Sequence, residues 1–183
     1  MTRFFYRLRN WRSELHMRLI EAGVFVAGMF GAMTAYGSLS ATLIKADGTR
    51  IDFGVIGKRV VTDAGVANLV DDWDDGSGNI ANFNFHDSGT SATGEAASDT
   101  NLIAEAGPAT RATGSKSQPS ANIIRSVGTI AYTGTLAIVE HGLFSTSNRA
   151  TDLMWDRTVF SVINVASGDS IQFTYDCKFT AGS

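Results

Sequence analysis

The stretch SIQFTYDCKFT, residues 170–180, alternates between two kinds of side chain along its whole length. Every second residue from Ile171 to Phe179 is apolar or aromatic or is cysteine, and the residues between them are polar or charged. Because successive side chains of a β-strand point to opposite faces, this period of two predicts a strand with one buried and one solvated face. Such strands belong to antiparallel sheets, so the sequence predicts an antiparallel fold around residues 170–180.

Four earlier stretches also read as strands and are separated by turn residues. They are IANFNFHDSGT (80–90), ANIIRSVGTIAYTG (121–134), LAIVEHGLFS (136–145) and LMWDRTVFSVINV (153–165). In the first of them we expect Phe83 and Phe85 to share a face. Residues 41–62 are predicted to form a hairpin around the turn ADGT. Together these patterns favour a mainly β chain, either an antiparallel β-sandwich or a jelly-roll-like domain.

One short helix is predicted in TDAGVANLVDDWDDG, residues 62–76. Thr62 or Asp63 is a suitable N-cap, and Gly76 is a suitable end. The apolar residues that share a helical face are Val66, Leu69, Val70 and Trp73. The aspartates that follow oppose the helix dipole and therefore need solvent, a cation or a basic partner. The spacing of DDWDDGSGN, residues 71–79, does not match a regular calcium-binding loop, and a solvated acidic helix end is the favoured interpretation.

The longest polar stretch, residues 87–120, is rich in Gly, Ala, Ser and Thr. It exceeds the usual length of a connection between strands. Two interpretations stay open at this point. It is either a mobile functional loop or a loop that contains a short strand near TNLIAEAG, residues 100–107.

The charge distribution separates an N-terminal arm from a body. The net charge is −3, but residues 1–18 hold five arginines and one glutamate, a local charge of +4, so the remaining residues sum to −7. A basic arm on an acidic body is suited to an acidic partner. The residues predicted to dock are Arg3, Phe4, Phe5, Tyr6, Arg7, Arg9, Trp11 and Arg12. Protein is favoured over nucleic acid as the partner, because the acidic body would repel a polyanion.

Residues 22–44 contain no charged side chain. Their length permits a membrane span, and the basic flank also permits a signal peptide. Four glycines and a polar C-terminal half favour a third interpretation, a segment buried against neighbouring protein chains. We therefore divide the chain into an extended or helical docking arm, residues 1–44, and a β-sandwich body, residues 45–183.

The residues with catalytic potential do not form a recognisable motif. Two histidines adjoin carboxylates, in His86-Asp87 and in Glu140-His141, but neighbouring strand residues point to opposite faces. The favoured interpretation is that these are turn or strand-end residues. The alternative is a metal site that joins His86, His141 and a carboxylate across strands. The single cysteine, Cys177, excludes an intrachain disulfide. We predict no catalytic residue, no metal ligand and no cofactor, and we expect the glycine after His141 to be a bend that turns Leu143 and Phe144 into the core.

Several of these stretches resemble a family of small structural proteins from tailed bacteriophages. The resemblance is carried by VVTDAGVANLVDDW (60–73), FNFHDSGTSATGEAASDTNLIAEAG (83–107), RATGSKSQPSANIIRSVGTIAYTGTLAIVEHGLFS (111–145) and DRTVFSVINVASGDSIQFTYDCKFTAGS (156–183). It covers about residues 60–183 and contains no residue with a mechanistic role. Residues 1–44 lie outside it.

The resemblance implies a virion component without enzymatic activity or a small-molecule substrate. The favoured component is a capsid decoration, or cement, protein on the capsid surface, whose partners would be the major capsid protein and copies of itself in a trimer. The alternative is a tail-fibre, collar or other tail-associated adaptor or receptor-binding subunit. A membrane-anchored or cation-binding module outside any virion is a third hypothesis.

Overall fold

The computed structural model describes residues 34–58, 60–74, 76, 78, 80–150 and 153–181. The strands are β1 (Thr34–Ile44), β2 (Arg50–Lys58), β3 (Val60–Val61), β4 (Phe85–Gly89), β5 (Ala112–Thr113), β6 (Ser115–Ser120), β7 (Ile123–Ala131), β8 (Leu136–Phe144), β9 (Met154–Val165) and β10 (Ser170–Thr180). The α-helix α1 is Asp63–Asp74, and a 3-10 turn covers Ile80–Asn82.

The strands form two five-stranded antiparallel sheets. The first has the order β2-β1-β10-β7-β6 and the second has the order β3-β9-β8-β4-β5. The chain forms the β1–β2 hairpin in the first sheet, crosses to the second at β3, returns for β6 and β7, crosses again for β8 and β9, and ends with β10. The prediction of a mainly β, antiparallel sandwich with one short helix is therefore confirmed for the described residues.

The predicted strand at residues 170–180 is β10, which lies at the centre of the first sheet between β1 and β7. Ile171, Phe173, Tyr175 and Cys177 are all buried, and Phe179 packs at the edge of the same core. Ile138 and Leu143 of β8 are among the core residues that the second sheet contributes. Burial of large apolar side chains between two sheets is the main source of stability in a sandwich.

The structure moves the boundary between the predicted arm and the body. Thr34–Ile44, which we assigned to the arm, form β1 and pair with β2 on one side and β10 on the other. The body therefore starts no later than Thr34, and the boundary at residue 44 was wrong. The remainder of the arm, with all eight predicted docking residues, lies outside the described residues. No helix in the described part of the chain is long and apolar enough to cross a membrane.

Helix α1 begins and ends as predicted, but most of its apolar face points to solvent. The Thr62 hydroxyl accepts a hydrogen bond from the Gly65 amide at 2.9 Å, and Gly76 has a positive φ of 72°. The helix packs closely on β9 through Gly65, where an added Cβ would lie 2.7 Å from the Trp155 carbonyl oxygen. This contact sets the rotation of the helix, so that Val66, Val70 and Trp73 remain exposed.

The prediction for Phe83 and Phe85 was wrong. Phe83 precedes β4 and lies in the main core, with its ring centroid 5.5 Å from that of Trp155. Phe85 is the first residue of β4 and packs on the opposite side of the second sheet, in a small cluster with Leu102, Phe144 and Met154. The alternation starts at Phe85 because the 3-10 turn and two non-strand residues come before it.

Candidate functional site

The two histidine–carboxylate pairs lie side by side in the second sheet. Strand β4 pairs with β8 so that Ser88 is opposite His141 and Gly89 is opposite Glu140. His86, Asp87, Glu140 and His141 are all fully buried. The sequence alone does not give this register, which creates a polar layer on both faces of a sheet.

On the inner face, the two histidines contact each other. His86 Nδ1 lies 3.0 Å from His141 Nε2, and His86 Nε2 lies 2.8 Å from the Ser126 hydroxyl. One nitrogen of the histidine pair must accept, so at least one ring is neutral. The His141 ring also packs on Phe173, with centroids 4.5 Å apart. The structure thus brings His86 and His141 together, as the alternative metal site required.

The two carboxylates that adjoin the histidines in the sequence do not join them, because Asp87 and Glu140 point to the other face of the sheet, where they bind Arg149 and Arg157. Within the part of the chain that the structure describes, there is no group of three or more His, Cys, Asp or Glu side chains that could hold a metal ion. As expected, His86 and Asp87 point to opposite faces of the sheet, and so do Glu140 and His141.

On the outer face, Glu140 and Arg157 form a fully buried ion pair. Arg157 donates from Nε and Nη2 to Glu140 Oε2 at 2.9 and 2.7 Å. Glu140 also accepts hydrogen bonds from the backbone amides of Ser91 at 3.3 Å, Ile103 at 3.2 Å and Ala104 at 2.9 Å. One carboxylate thus binds both the start of the segment that covers this face and a later part of it, at residues 103–104.

Arg157 holds the middle of the same segment. It donates to the carbonyl oxygens of Thr93 at 3.0 Å and Gly94 at 3.3 Å and to Asp99 Oδ2 at 3.0 Å. A charged pair is tolerated in a protein interior only when its remaining donors and acceptors are hydrogen-bonded, which is the case here. We name residues 90–111 the outer cover, because they close this face of the second sheet.

A second ionic cluster holds the other end of the outer cover. Asp87 accepts two hydrogen bonds from Arg149, at 2.8 and 2.9 Å. Arg111 lies with its guanidinium carbon 3.5 Å from the centre of the Phe144 ring and donates to Glu105 at 3.0 Å. Burial raises the pKa of the Asp87 carboxyl, and the hydrogen bonds from Arg149 and the Ser88 amide only partly oppose that rise. Burial therefore disfavours the ionised form of Asp87, and the hydrogen bonds from Arg149 and the Ser88 amide offset only part of that penalty.

Ser88 and Tyr132 extend the inner polar layer. The Ser88 hydroxyl lies 2.9 Å from the Tyr132 hydroxyl. Burial raises the pKa of Tyr132, although the hydrogen bond with Ser88 lowers it, so the phenol stays protonated at neutral pH. These two hydroxyls satisfy each other and are buried.

The predicted polar loop at residues 87–120 is divided among several elements. It starts in β4, continues as the outer cover, and ends in β5 and β6. Where the cover begins, Gly89 at the end of β4 forms an antiparallel bridge with Glu105, and the Thr90 amide donates to the Ala104 carbonyl oxygen at 2.9 Å. Of the two interpretations that the sequence left open, the structure agrees with the loop that contains a short strand-like pairing within residues 100–107.

The glycine after His141 does not form the expected bend. Gly142 lies inside β8, and an added Cβ would be 2.8 Å from the Phe144 ring and 3.1 Å from Leu102. It makes room for packing of the outer cover. Leu143 lies in the main core as predicted, but Phe144 points to the outer face and joins the small cluster with Leu102.

Gly89 provides a direct test of how closely the outer cover is packed. We expect Gly89→Ala to destabilise the fold by about 1–3 kcal/mol, because its Cβ would lie 2.3 Å from the Ala104 carbonyl oxygen and from Glu140 Oε1. Gly94 is the matched control, since it lies within the outer cover and has nothing within 4 Å of an added Cβ. Urea unfolding of both variants measures the difference, and equal stability would contradict this packing.

The partners of the buried acids are the residues that sequence reasoning missed. Arg111, Arg149 and Arg157 were not singled out, although all three bind a carboxylate in the polar layer. One sequence feature could have indicated Arg157. The pair Asp156-Arg157 interrupts the apolar strand LMWDRTVFSVINV, and a charged residue at the centre of a buried strand needs an internal partner.

The fold and the polar layer define a class of protein: an antiparallel β-sandwich in which buried ion pairs fix a long connection onto the outer face of one sheet. Comparison with protein-family models, with curated proteins and with solved structures gave no match. The polar layer of the second sheet consists of buried acidic and basic side chains that hydrogen-bond to one another and to the backbone.

Proposed function

We propose that the chain is a non-enzymatic structural protein of a bacteriophage virion, a capsid decoration protein that binds and stabilises the head shell through its N-terminal arm and its β body. The observation that carries the proposal is the exposed apolar ridge of α1, formed by Val66, Val70 and Trp73. Their side chains are 52%, 60% and 82% exposed.

The ridge has the properties of a protein-docking surface. Its three residues follow the spacing i, i+4 and i+7, so they form one continuous stripe on the helix. Tryptophan is among the residues most enriched at the energetic centres of protein interfaces. Asp72 and Asp74 flank Trp73, which suits a partner that places basic side chains around an apolar centre.

The polar layer supports a structural function more than a catalytic one. Glu140, Asp87 and their arginine partners bind the outer cover to the sheet, and the histidine pair is sealed between the sheets. A body held by these contacts is suited to present a docking surface in a fixed orientation. It is also suited to a particle in which many copies must have the same shape.

The helix ridge is too small to make a stable interface alone. A specific interface buries about 800 Å² on each partner, whereas three side chains supply only part of that area. We propose that the basic and aromatic residues Arg3–Arg12 supply the remainder, by contacting the major capsid protein or another copy in a trimer.

Copy number in purified particles tests the proposal. A decoration protein is expected in hundreds of copies per particle, and particles that lack it should break at lower temperature than complete ones. Quantitative mass spectrometry of this chain against the major shell protein measures the ratio. A handful of copies per particle, with loss of adsorption and an unchanged shell, would instead favour the tail-associated adaptor.

A further inference from the structure

Two buried histidines lie where the two sheets meet. His86 of β4 and His141 of β8 are fully buried, and Phe173 of the first sheet packs on the His141 ring. His86 also contacts the first sheet directly, because its Nε2 lies 2.8 Å from the hydroxyl of Ser126 in β7. An added Cβ at Gly128 of the same strand would lie 2.4 Å from His86 Cδ2, so the ring fills the space up to that strand. The histidine pair is therefore part of the contact between the sheets.

The hydrogen bond between the two rings limits how many protons the pair can bind. His86 Nδ1 and His141 Nε2 are 3.0 Å apart, so one proton lies between them and one of the two nitrogens must accept it. If both rings were charged, both of these nitrogens would carry a proton and two donors would face each other. The folded pair therefore holds at most one added proton, whereas two free histidine side chains, with an ordinary pKa of about 6.5, bind two.

Two charged side chains on the same inward face act on the pair in opposite directions. Asp156, the register partner of Leu143, is fully buried on β9 and favours a charged histidine. Lys116, the register partner of Ser126, lies on β6 and disfavours one. One carboxylate balances at most one imidazolium, so the limit of one added proton is unchanged. The hydroxyl and thiol side chains that face the pair from neighbouring strands are Ser88, Ser126, Tyr132, Thr158, Tyr175 and Cys177.

We propose that the His86–His141 pair is a pH-sensitive switch that joins the two sheets at neutral pH and separates them in acid. At neutral pH, the bond between the rings and the contact with Ser126 connect β4 and β8 to β7. In mild acid, the opened chain binds a proton on each histidine, whereas the folded pair binds one at most. Acid therefore favours the opened form. The proposal concerns the β body and does not depend on the proposed virion function.

The buried carboxyl of Asp87, on the other face of the sheet, responds to acid with the opposite sign. Burial raises its pKa, so the folded state takes up this proton before the unfolded state does, and falling pH stabilises the fold through this group. Asp169 has a lowered pKa, chiefly because Lys45 donates a hydrogen bond to it. Its contribution to stability is lost only below about pH 4. A loss of stability between about pH 6 and 5 therefore reports on the histidines.

Urea unfolding of the full-length chain at pH 6 and at pH 5 tests the switch. We expect the equilibrium constant for unfolding to rise about fivefold or more over this pH unit, because the unfolded chain binds nearly two protons there and the folded pair one at most. The double variant His86→Asn and His141→Asn has amides that do not titrate, so its constant should rise about twofold or less. His16 is the third histidine of the sequence and the matched control, and His16→Asn should behave as the natural chain does. Equal rises in the natural chain and the double variant would overturn the proposal.

A second measurement decides the question if the double variant does not fold. Nitrogen-15 NMR of the histidine rings in the natural full-length chain distinguishes neutral from charged imidazole. At about pH 5.5 we expect at most one of His86 and His141 to be charged in the folded chain, with His16→Asn used to assign the remaining signal. Two charged rings in a chain whose backbone amide spectrum is unchanged from neutral pH would overturn the proposal.

Discussion

Replacing Arg157 with methionine should lower the free energy of unfolding by about 3–5 kcal/mol, because removing one partner of a buried ion pair leaves the other charge uncompensated. Glu140 would remain fully buried without its guanidinium partner, and the carbonyl oxygens of Thr93 and Gly94 would lose their donor. Domains of this size are stable by only about 5–15 kcal/mol, so the loss would be a large fraction of the total. Guanidinium or urea unfolding measures it.

Arg125 provides a matched control for the same substitution. It also makes two hydrogen bonds to one carboxylate, that of Asp176, both at 2.7 Å, but the two side chains are 38% and 23% exposed. Arg125→Met should therefore cost about 1 kcal/mol or less. Limited proteolysis adds a local measurement, since Arg157→Met should make the outer cover susceptible to cleavage while Arg125→Met should not. Similar losses of stability in both variants would contradict the assigned role of Arg157.

The elements that sequence predicted well are those whose pattern is local. The alternation in residues 170–180 predicts both the strand and its buried face, because every second side chain of this strand packs into the same hydrophobic core. The turn at Asp47 and Gly48 is determined by the conformational freedom of glycine, which has φ 83° there, and by the Asp47 side chain, which accepts from the Thr49 amide at 2.8 Å. The Thr62 cap and the Gly76 terminus of α1 follow from the same kind of local chemistry.

The candidate site could not be predicted in the same way, because most of its contacts join different strands or join a strand to the outer cover. Strand alternation correctly separates Glu140 from His141, but it does not show that His86 lies on the neighbouring strand. Nor does it show that Arg157 is the partner of Glu140. The rotation of α1 could not be predicted from the local sequence pattern either. It depends on Gly65 meeting the backbone of Trp155, ninety residues later in the chain.

That rotation leads to the second prediction, which concerns the exposed ridge of α1. On the proposed decoration function, Trp73→Ala should weaken binding to isolated shells that lack this protein by about 30-fold or more, because truncating an aromatic residue at the centre of an interface costs about 2 kcal/mol or more. Its side chain is 82% exposed in the chain alone, so the same substitution should change the free energy of unfolding by less than about 0.5 kcal/mol.

Ile103 separates a specific role of the ridge from a general effect of exposed apolar surface. It is 56% exposed, similar to Val66, but it lies on the outer cover and not on α1. If the ridge is the docking surface, Ile103→Ala should leave shell binding unchanged in the co-sedimentation assay that detects the loss for Trp73→Ala. If both variants bind as tightly as the natural chain, the ridge of α1 is not the surface that contacts the shell. Because Trp73→Ala spares the fold while Arg157→Met weakens it, comparing the two variants separates loss of docking from loss of structure.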